Sequence, residues 1–239
     1  MRSVVIDIGN TGTKYGLFEE DSLLKQGYFQ QKDQLPEELY QHSFDHAIVA
    51  SVAENPQAIL QRLSVTGKFL ELTGQTALPI GNFYKTPQTL GADRKAAAVG
   101  ANSLFPGRNC LAIDAGTCIT HDFVDSEGNY HGGGIAPGLN MKFKALHTFT
   151  GRLPLVQRTD NSFPLTGQTT EASILSGVLG GTVAELNGLI AAYMQIFPDL
   201  VVILCGGDAG FFESTLKGRI FVIPELVLIG LHRILVYNV

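Results

Sequence analysis

A chain of 239 residues with 45% hydrophobic residues, 16% charged residues and a net charge of −5 has the composition of a core-forming protein, far from the profile of disorder. Its length suits one large domain or two small ones. The mild acidity argues against a general nucleic-acid binder, and no segment is expected to cross a membrane, since the longest strongly apolar runs, such as Leu200 to Cys205, fall below the roughly 20 residues of a spanning helix.

In chain order, the run Val4 to Ile8 predicts a first strand, Thr13 to Phe18 a second and Ser22 to Gln30 a third. A polar helix is expected around Pro36 to His42, a strand over His46 to Ala50, a helix over Pro56 to Leu63 and a short strand over Lys68 to Leu72. An Ala-rich helix begins near Ala92. The second half starts again with strands over Leu111 to Ala115, Ile119 to Val124 and Asn129 to Ile135. Pro137, as an early helical residue, and the spacing of Leu139, Phe143 and Leu146 predict a helix over Pro137 to Phe149. A long helix is expected over Thr170 to Phe197, interrupted near Gly180-Gly181. The strand Leu200 to Cys205, a helical Asp208 to Leu216, the strand Arg219 to Ile223 and a closing helix Pro224 to Tyr237 complete the pattern.

Each half therefore reads as three strands followed by alternating helices and strands. A meander plus crossovers gives a mixed sheet covered by helices. The expected boundary lies near Gly107 to Asn109, giving halves 1–108 and 109–239 with a cleft between them, where ligands commonly bind.

The repeat is sharpest at two turns. Asp7-Ile8-Gly9-Asn10-Thr11-Gly12-Thr13-Lys14 and Asp114-Ala115-Gly116-Thr117 each follow an apolar strand, close to half the chain apart. Glycine turns aim backbone N–H groups outward and form anion-binding concavities. Asn10, Thr11 and Thr13 add donors and Lys14 adds positive charge, while Asp7 can hold a hydrated Mg²⁺. One copy alone is an ordinary hairpin turn; two at matching places point to a polyphosphate. There is no GxxxxGK[ST] loop, GxGxxG after the first strand, HRD triplet or GxSxG elbow.

Cys110, Cys118 and Cys205 are odd in number and form no CxxC, so neither a disulfide framework nor a zinc site is indicated, and a reducing cytoplasm is the simplest home. The N-terminus is too quickly acidic for a signal peptide. His42 and His46 have a metal-binding spacing but no accompanying HExxH glutamate, and His46 reads as the start of a strand.

Five stretches, in this order and spacing, resemble type III pantothenate kinases over nearly the whole chain: Asp7-Ile8-Gly9-Asn10-Thr11, Gly91-Ala92-Asp93-Arg94, Asp114-x-Gly116-Thr117-x-x-Thr120-x-Asp122, Gly133-Gly134-Ile135-x-Pro137-Gly138-x-x-Met141 and Thr150-x-x-Leu153-Pro154. The resemblance implies an actin-like ATPase fold of two ribonuclease-H-like halves. It implies ATP-dependent phosphorylation of pantothenate, the first step towards coenzyme A, by a homodimer using Mg²⁺ and a monovalent cation, K⁺ or NH₄⁺. By the same resemblance Asp7, Ile8, Gly9, Asn10, Thr11, Gly12, Thr13, Lys14 and Thr117 bind ATP, and Asp114 ligates the monovalent cation. Tyr84, Gly91, Ala92, Asp93, Arg94 and Thr170 contact pantothenate, with Asp93 as proton acceptor. Three positions depart from the family pattern: Cys118 for Ala, Thr169-Thr170 for Asn-Thr, and Cys205-Gly206-Gly207-Asp208 for Thr-Gly-Gly.

Phosphoryl transfer requires positioning, charge neutralisation and handling of the nucleophile's proton. Asp93 precedes the strong helix former Lys95-Ala96-Ala97-Ala98, where a carboxylate is favoured. It can serve as a base or as a plain N-cap. Arg94 can pair with a carboxylate or with phosphate charge, or sit solvated on the helix. Asp114 ends a buried strand, where a cation or turn amides would offset its burial. Tyr84 can pack instead, and Gly132 to Gly134 can serve close backbone approach instead of a ligand loop. A sugar- or acetate-type kinase of the same superfamily, a regulatory homologue acting in transcription and an actin-like or chaperone ATPase are the rival readings.

Overall fold

Val4, Val5, Ile6 and Ile8 are all buried, so β1 (Arg2–Ile8) is covered on both faces and reads as a continuous apolar run. A computed structural model of the chain describes residues 1–30, 35–51, 61–158 and 161–239. The expected helix over Pro56 to Leu63 falls mostly outside the described residues.

β1 pairs antiparallel with β2 (Thr13–Glu19), which pairs antiparallel with β3 (Ser22–Phe29). On its other edge β1 runs parallel to β5 (His46–Ser51), and β5 runs parallel to β7 (Phe69–Glu71). The sheet order is β3-β2-β1-β5-β7. β4 (Ser43–Phe44) and β6 (Ser64–Val65) form a separate parallel ribbon. The expected helix after β3 shortens to the single turn α1 (Glu37–Tyr40), which buries Leu39. Val4, Ile6 and Ile8 join Tyr15, Leu17, Leu39, Phe44, Ala47 and Val49 in one core cluster.

The helices α2 (Ala92–Leu104) and α7 (Leu226–Asn238) pack together, and α7 also packs on β1 and β5. Glycine is required at their crossing: a Cβ on Gly230 would strike the Ala96 backbone, and one on Gly100 would strike the Leu226 carbonyl. Two glycines thus let the backbones approach to a distance that no larger residue allows.

A second sheet has the order β13-β12-β9-β10-β11-β8. β12 (Val201–Cys205) lies parallel to both β9 (Cys110–Ala115) and β13 (Ile220–Val222), with the short helix α6 (Ala209–Thr215) between β12 and β13 in sequence. β10 (Cys118–Val124) and β11 (Asn129–Pro137) follow, and β8 (Gly81–Asn82) pairs parallel with the start of β11. Both sheets are mixed, so the chain is an α/β protein.

Residues 1–107, 122–132 and 225–239 form one compact unit, and residues 108–121 and 133–224 a second. The first thus takes in α7 and the tip of the β10–β11 hairpin.

Three expectations need correction. Pro137 is the last residue of β11, not an early helical residue; α3 (Leu139–Thr148) starts two residues later, with Gly138 at its N-cap. A strand end tolerates a proline that lacks an N–H. The long helix is α4 (Thr170–Leu175), a π turn over Ser176–Gly180 and α5 (Gly181–Ile196). Its interruption therefore begins four residues before Gly180, in a glycine-rich stretch where the Thr182 hydroxyl donates to the Val178 carbonyl at 2.6 Å. The continuous helical span Thr170–Ile196, 27 residues, is long and apolar enough by length and composition to cross a membrane. About a third of its most apolar window is buried, and a core helix passes the same test.

Candidate active site

The first turn sits where β1 hands over to β2. Their last paired residues are Asp7 with Lys14 and Ile8 with Thr13, and the Gly9 N–H donates to the Gly12 carbonyl at 3.0 Å. Asn10 and Thr11 are exposed at the tip, Asp7, Gly9 and Lys14 are half-buried, and Ile8, Gly12 and Thr13 are buried. The Thr13 hydroxyl is enclosed with no hydrogen-bond partner, so it is not a surface donor. Tyr28 braces the turn: its hydroxyl donates to the Thr11 carbonyl at 3.3 Å. A Cβ on Gly12 would collide with the Tyr28 ring and the Phe29 carbonyl.

The Gly91 to Arg94 motif forms the start of α2. Gly91 is the N-cap and offers no side-chain cap. Asp93 is therefore not the N-cap: it lies inside the first turn, exposed, and accepts the Arg94 backbone N–H at 2.8 Å. Ala92 is half-buried.

Arg94 is not solvated; 5% of it is exposed, and its partner Asp122 on β10 is 1% exposed. Arg94 Nε donates to Asp122 Oδ1 at 2.9 Å. Nη2 lies 2.7 Å from the same oxygen, an ion-pair contact without hydrogen-bond alignment. The Tyr130 hydroxyl also donates to Oδ1, at 2.6 Å. Tyr84 completes the group: its ring centroid is 5.7 Å from the Arg94 guanidinium carbon and 6.1 Å from that of Tyr130. Burial pushes the Asp122 carboxyl up from its ordinary value while the Arg94 guanidinium pulls against it. Burial, with Asp122 second, likewise raises the Tyr130 phenol. Lys95, buried beside Arg94, donates from Nζ to the Thr73 carbonyl at 3.1 Å, and burial lowers its pKa.

The second turn is in the second unit. Asp114 ends β9 half-buried, and Thr117 is exposed. The Gly116 N–H donates to the Cys118 carbonyl at 2.9 Å, the Gly138 N–H to the Thr117 carbonyl at 3.1 Å, and the Asp208 N–H to the Ala115 carbonyl at 2.9 Å. The start of α3 and the Cys205 to Asp208 loop are thereby tied to this turn. Gly206 has φ +93°, and a Cβ there would press on the Asp114 carboxylate and the Ala115 carbonyl, so a cradle beside Asp114 is kept open by glycine. Arg158 pairs with Asp208 at 2.9 Å. Thr170 is exposed at the first position of α4, whose cap is the Thr169 hydroxyl, accepting from the Ala172 N–H at 3.1 Å.

Among the described residues no group of three or more His, Cys, Asp or Glu side chains is gathered for a metal. The structure therefore joins Tyr84 and Arg94 with two side chains given no role from sequence, Asp122 and Tyr130. The missed signal was an aspartate followed by Phe123 and Val124 in an apolar strand, which needs a buried cation.

The fold is that of the actin-like ATPases and sugar kinases. A crystal structure from Campylobacter jejuni, of a protein assigned to the Baf family of transcriptional activators, superposes with a TM-score of 0.65 at 19% identity, covering 98% of each chain. The activator of 2-hydroxyisocaproyl-CoA dehydratase from Clostridium difficile, with bound ADPNP, gives 0.55 at 11% identity, covering 100% of this chain and 95% of that one. The type III pantothenate kinase family profile matches residues 3–192. A type III pantothenate kinase of Bacteroides fragilis is 47% identical over 239 residues, 99% of this chain and 98% of the relative. One of Cytophaga hutchinsonii is 44% identical over 237 residues, covering 99% and 100%. The chain belongs to the type III pantothenate kinase family.

Proposed function

We propose that this protein is a pantothenate kinase, transferring the γ-phosphoryl group of ATP to the primary hydroxyl of pantothenate at the first step of coenzyme A synthesis. The observation that carries this reading is the family match across nearly the entire chain, joined to an intact Gly91-Ala92-Asp93-Arg94 motif on a helix start.

The residue roles come from the family resemblance, and chemistry and placement are compatible with them. Asp93 presents an exposed carboxylate at the N-terminus of α2, suited to take the hydroxyl proton as the oxygen attacks phosphorus and the bond to the ADP oxygen breaks. Asp7 to Lys14 and Thr117 bind the triphosphate through backbone amides, the exposed Asn10 and Thr11 side chains and the Lys14 charge. Asp7 would hold a Mg²⁺, which would supply neutralisation of the phosphate charge. Asp114, with its glycine-lined cradle, takes K⁺ or NH₄⁺. Tyr84, Gly91, Ala92, Arg94 and Thr170 contact pantothenate. The family resemblance supports a homodimer, two ribonuclease-H-like halves at 1–108 and 109–239, and a cytoplasmic site of action, which the free thiols of Cys110, Cys118 and Cys205 suit.

A coupled assay of ADP release, with and without pantothenate, in potassium and in sodium, tests the reading. Release that depends on pantothenate and fails in sodium alone is expected. ADP release indifferent to pantothenate overturns the activity; equal rates in both salts overturn the Asp114 role.

A further inference from the structure

The Arg94–Asp122 pair is unusual in being left incomplete. A buried ion pair offsets its desolvation only when its remaining lone pairs and protons are also bonded. Here two hydrogen-bond donors, Arg94 Nε and the Tyr130 hydroxyl, and the ion-pair contact of Nη2 all crowd one carboxylate oxygen, Oδ1. Oδ2 of Asp122 and Nη2 of Arg94 are buried and make no hydrogen bond. Buried polar groups left unsatisfied are few in native proteins and tend to mark functional positions.

The arrangement also spends more than a structural pair needs. Tyr130, 1% exposed, is anchored in a cluster with Leu90, Ala98 and Val124, and Tyr84 packs against that cluster. The phenol of Tyr130 reaches Oδ1 at 2.6 Å, fixing the carboxylate that fixes the guanidinium. The Tyr84 ring closes over Arg94. A long, rotamer-rich arginine is thus held in one pose before any ligand arrives, which removes an ordering cost from binding.

We propose that Asp122 and Tyr130 are positioning residues that act through Arg94, holding its guanidinium in the pose that selects an anionic alcohol, a hydroxy acid, as phosphoryl acceptor. This rests on the pantothenate kinase reading. A guanidinium fixed this way recognises the acceptor's carboxylate and has nothing to offer a neutral analogue.

The test compares Tyr130→Phe and Asp122→Asn with wild type, using pantothenate and its neutral alcohol analogue pantothenol. A displacement of the guanidinium by an ångström raises KM for pantothenate by about 10-fold in Tyr130→Phe and up to about 100-fold in Asp122→Asn. KM for ATP stays unchanged, kcat changes little, and preference for pantothenate over pantothenol collapses. An undiminished preference in both folded variants overturns the proposal. So does a fall in kcat and Tm accompanied by a parallel rise in both KM values, which marks a structural role alone. The clamp itself is read without substrate, from the Arg94 Nε–H signal in NMR, assigned by its loss in Arg94→Lys. Slow exchange with solvent in wild type and faster exchange in both variants supports it; fast exchange in wild type overturns it. A wild-type chain inert towards pantothenate would remove the activity, and the Nε–H signal still decides the clamp.

Discussion

Two aspartates flank Arg94 and could hardly differ more. Asp93, its neighbour in sequence, is exposed and accepts the Arg94 backbone N–H in the first turn of α2. Asp122, 28 residues on, is 1% exposed and takes the Arg94 side chain. One carboxylate is accessible to an acceptor's hydroxyl; the other is spent holding a cation. Adjacency in sequence thus says little about which acid stays open to a ligand and which holds the Arg94 side chain in place. Burial and partner decide.

The largest effect should come from the exposed acid. If Asp93 takes the acceptor's proton, Asp93→Asn lowers kcat by about 10³-fold, within the range for loss of a general base, while the melting temperature and ATP binding hold. Near-wild-type turnover would erase the contrast between the two acids. Next is the buried acid. Asp122→Ala strands the Arg94 charge and should cost about 3–5 kcal/mol in urea denaturation, as breaking buried pairs does. A loss no larger than that of a surface substitution would mean that water already reaches the pair.

A smaller effect tests burial with a weaker partner. His232 is 1% exposed, stacked on Phe18 at 4.1 Å, with Nδ1 3.2 Å from the Ser3 hydroxyl. Burial lowers its pKa from 6.5, against the pull of Asp21. The unfolded chain therefore takes up the proton first. The stability this contributes is complete above pH 6.5 and is lost as pH falls through that value towards the folded-state pKa. Urea melts should show a slope of up to about 1.4 kcal/mol per pH unit in that window, absent in His232→Gln. A pH-independent difference between the two would contradict it. The smallest effect belongs to Lys25–Glu38, which matches the buried pair at 2.7 Å but is 52% and 44% exposed. Lys25→Met should leave Tm unresolved from wild type; a clear drop would show that distance, not burial, sets the worth of these pairs.

Much of this was legible in the sequence. The apolar runs of β1, β9 and β12 and the Ala-rich α2 announce themselves, because covered strands and strong helix formers leave local signals. The motif turns were placed at the correct strand ends. What was missed depends on distance along the chain. Nothing local at Leu226–Asn238 says that this helix packs on α2. Pro137 obeys a helix-start preference as well as a strand-end tolerance, and only the pairing of β11 settles it. Asp122 was visible as part of a motif, but its partner, Tyr130's reach and the burial of Arg94 are tertiary facts. Asp93 as N-cap failed for a similar reason, since Gly91 holds that position without offering a side chain.

On the pantothenate kinase reading, this chain esterifies a hydroxy acid with phosphate through the exposed carboxylate of Asp93. Phosphorus NMR of ATP, Mg²⁺ and pantothenate with the wild-type protein and with Asp93→Asn tests it most directly. The account predicts a phosphomonoester signal growing in step with ADP for the wild type, and ATP bound but unconsumed by the variant. ADP without an ester, or an ester formed as fast by the variant, would contradict it.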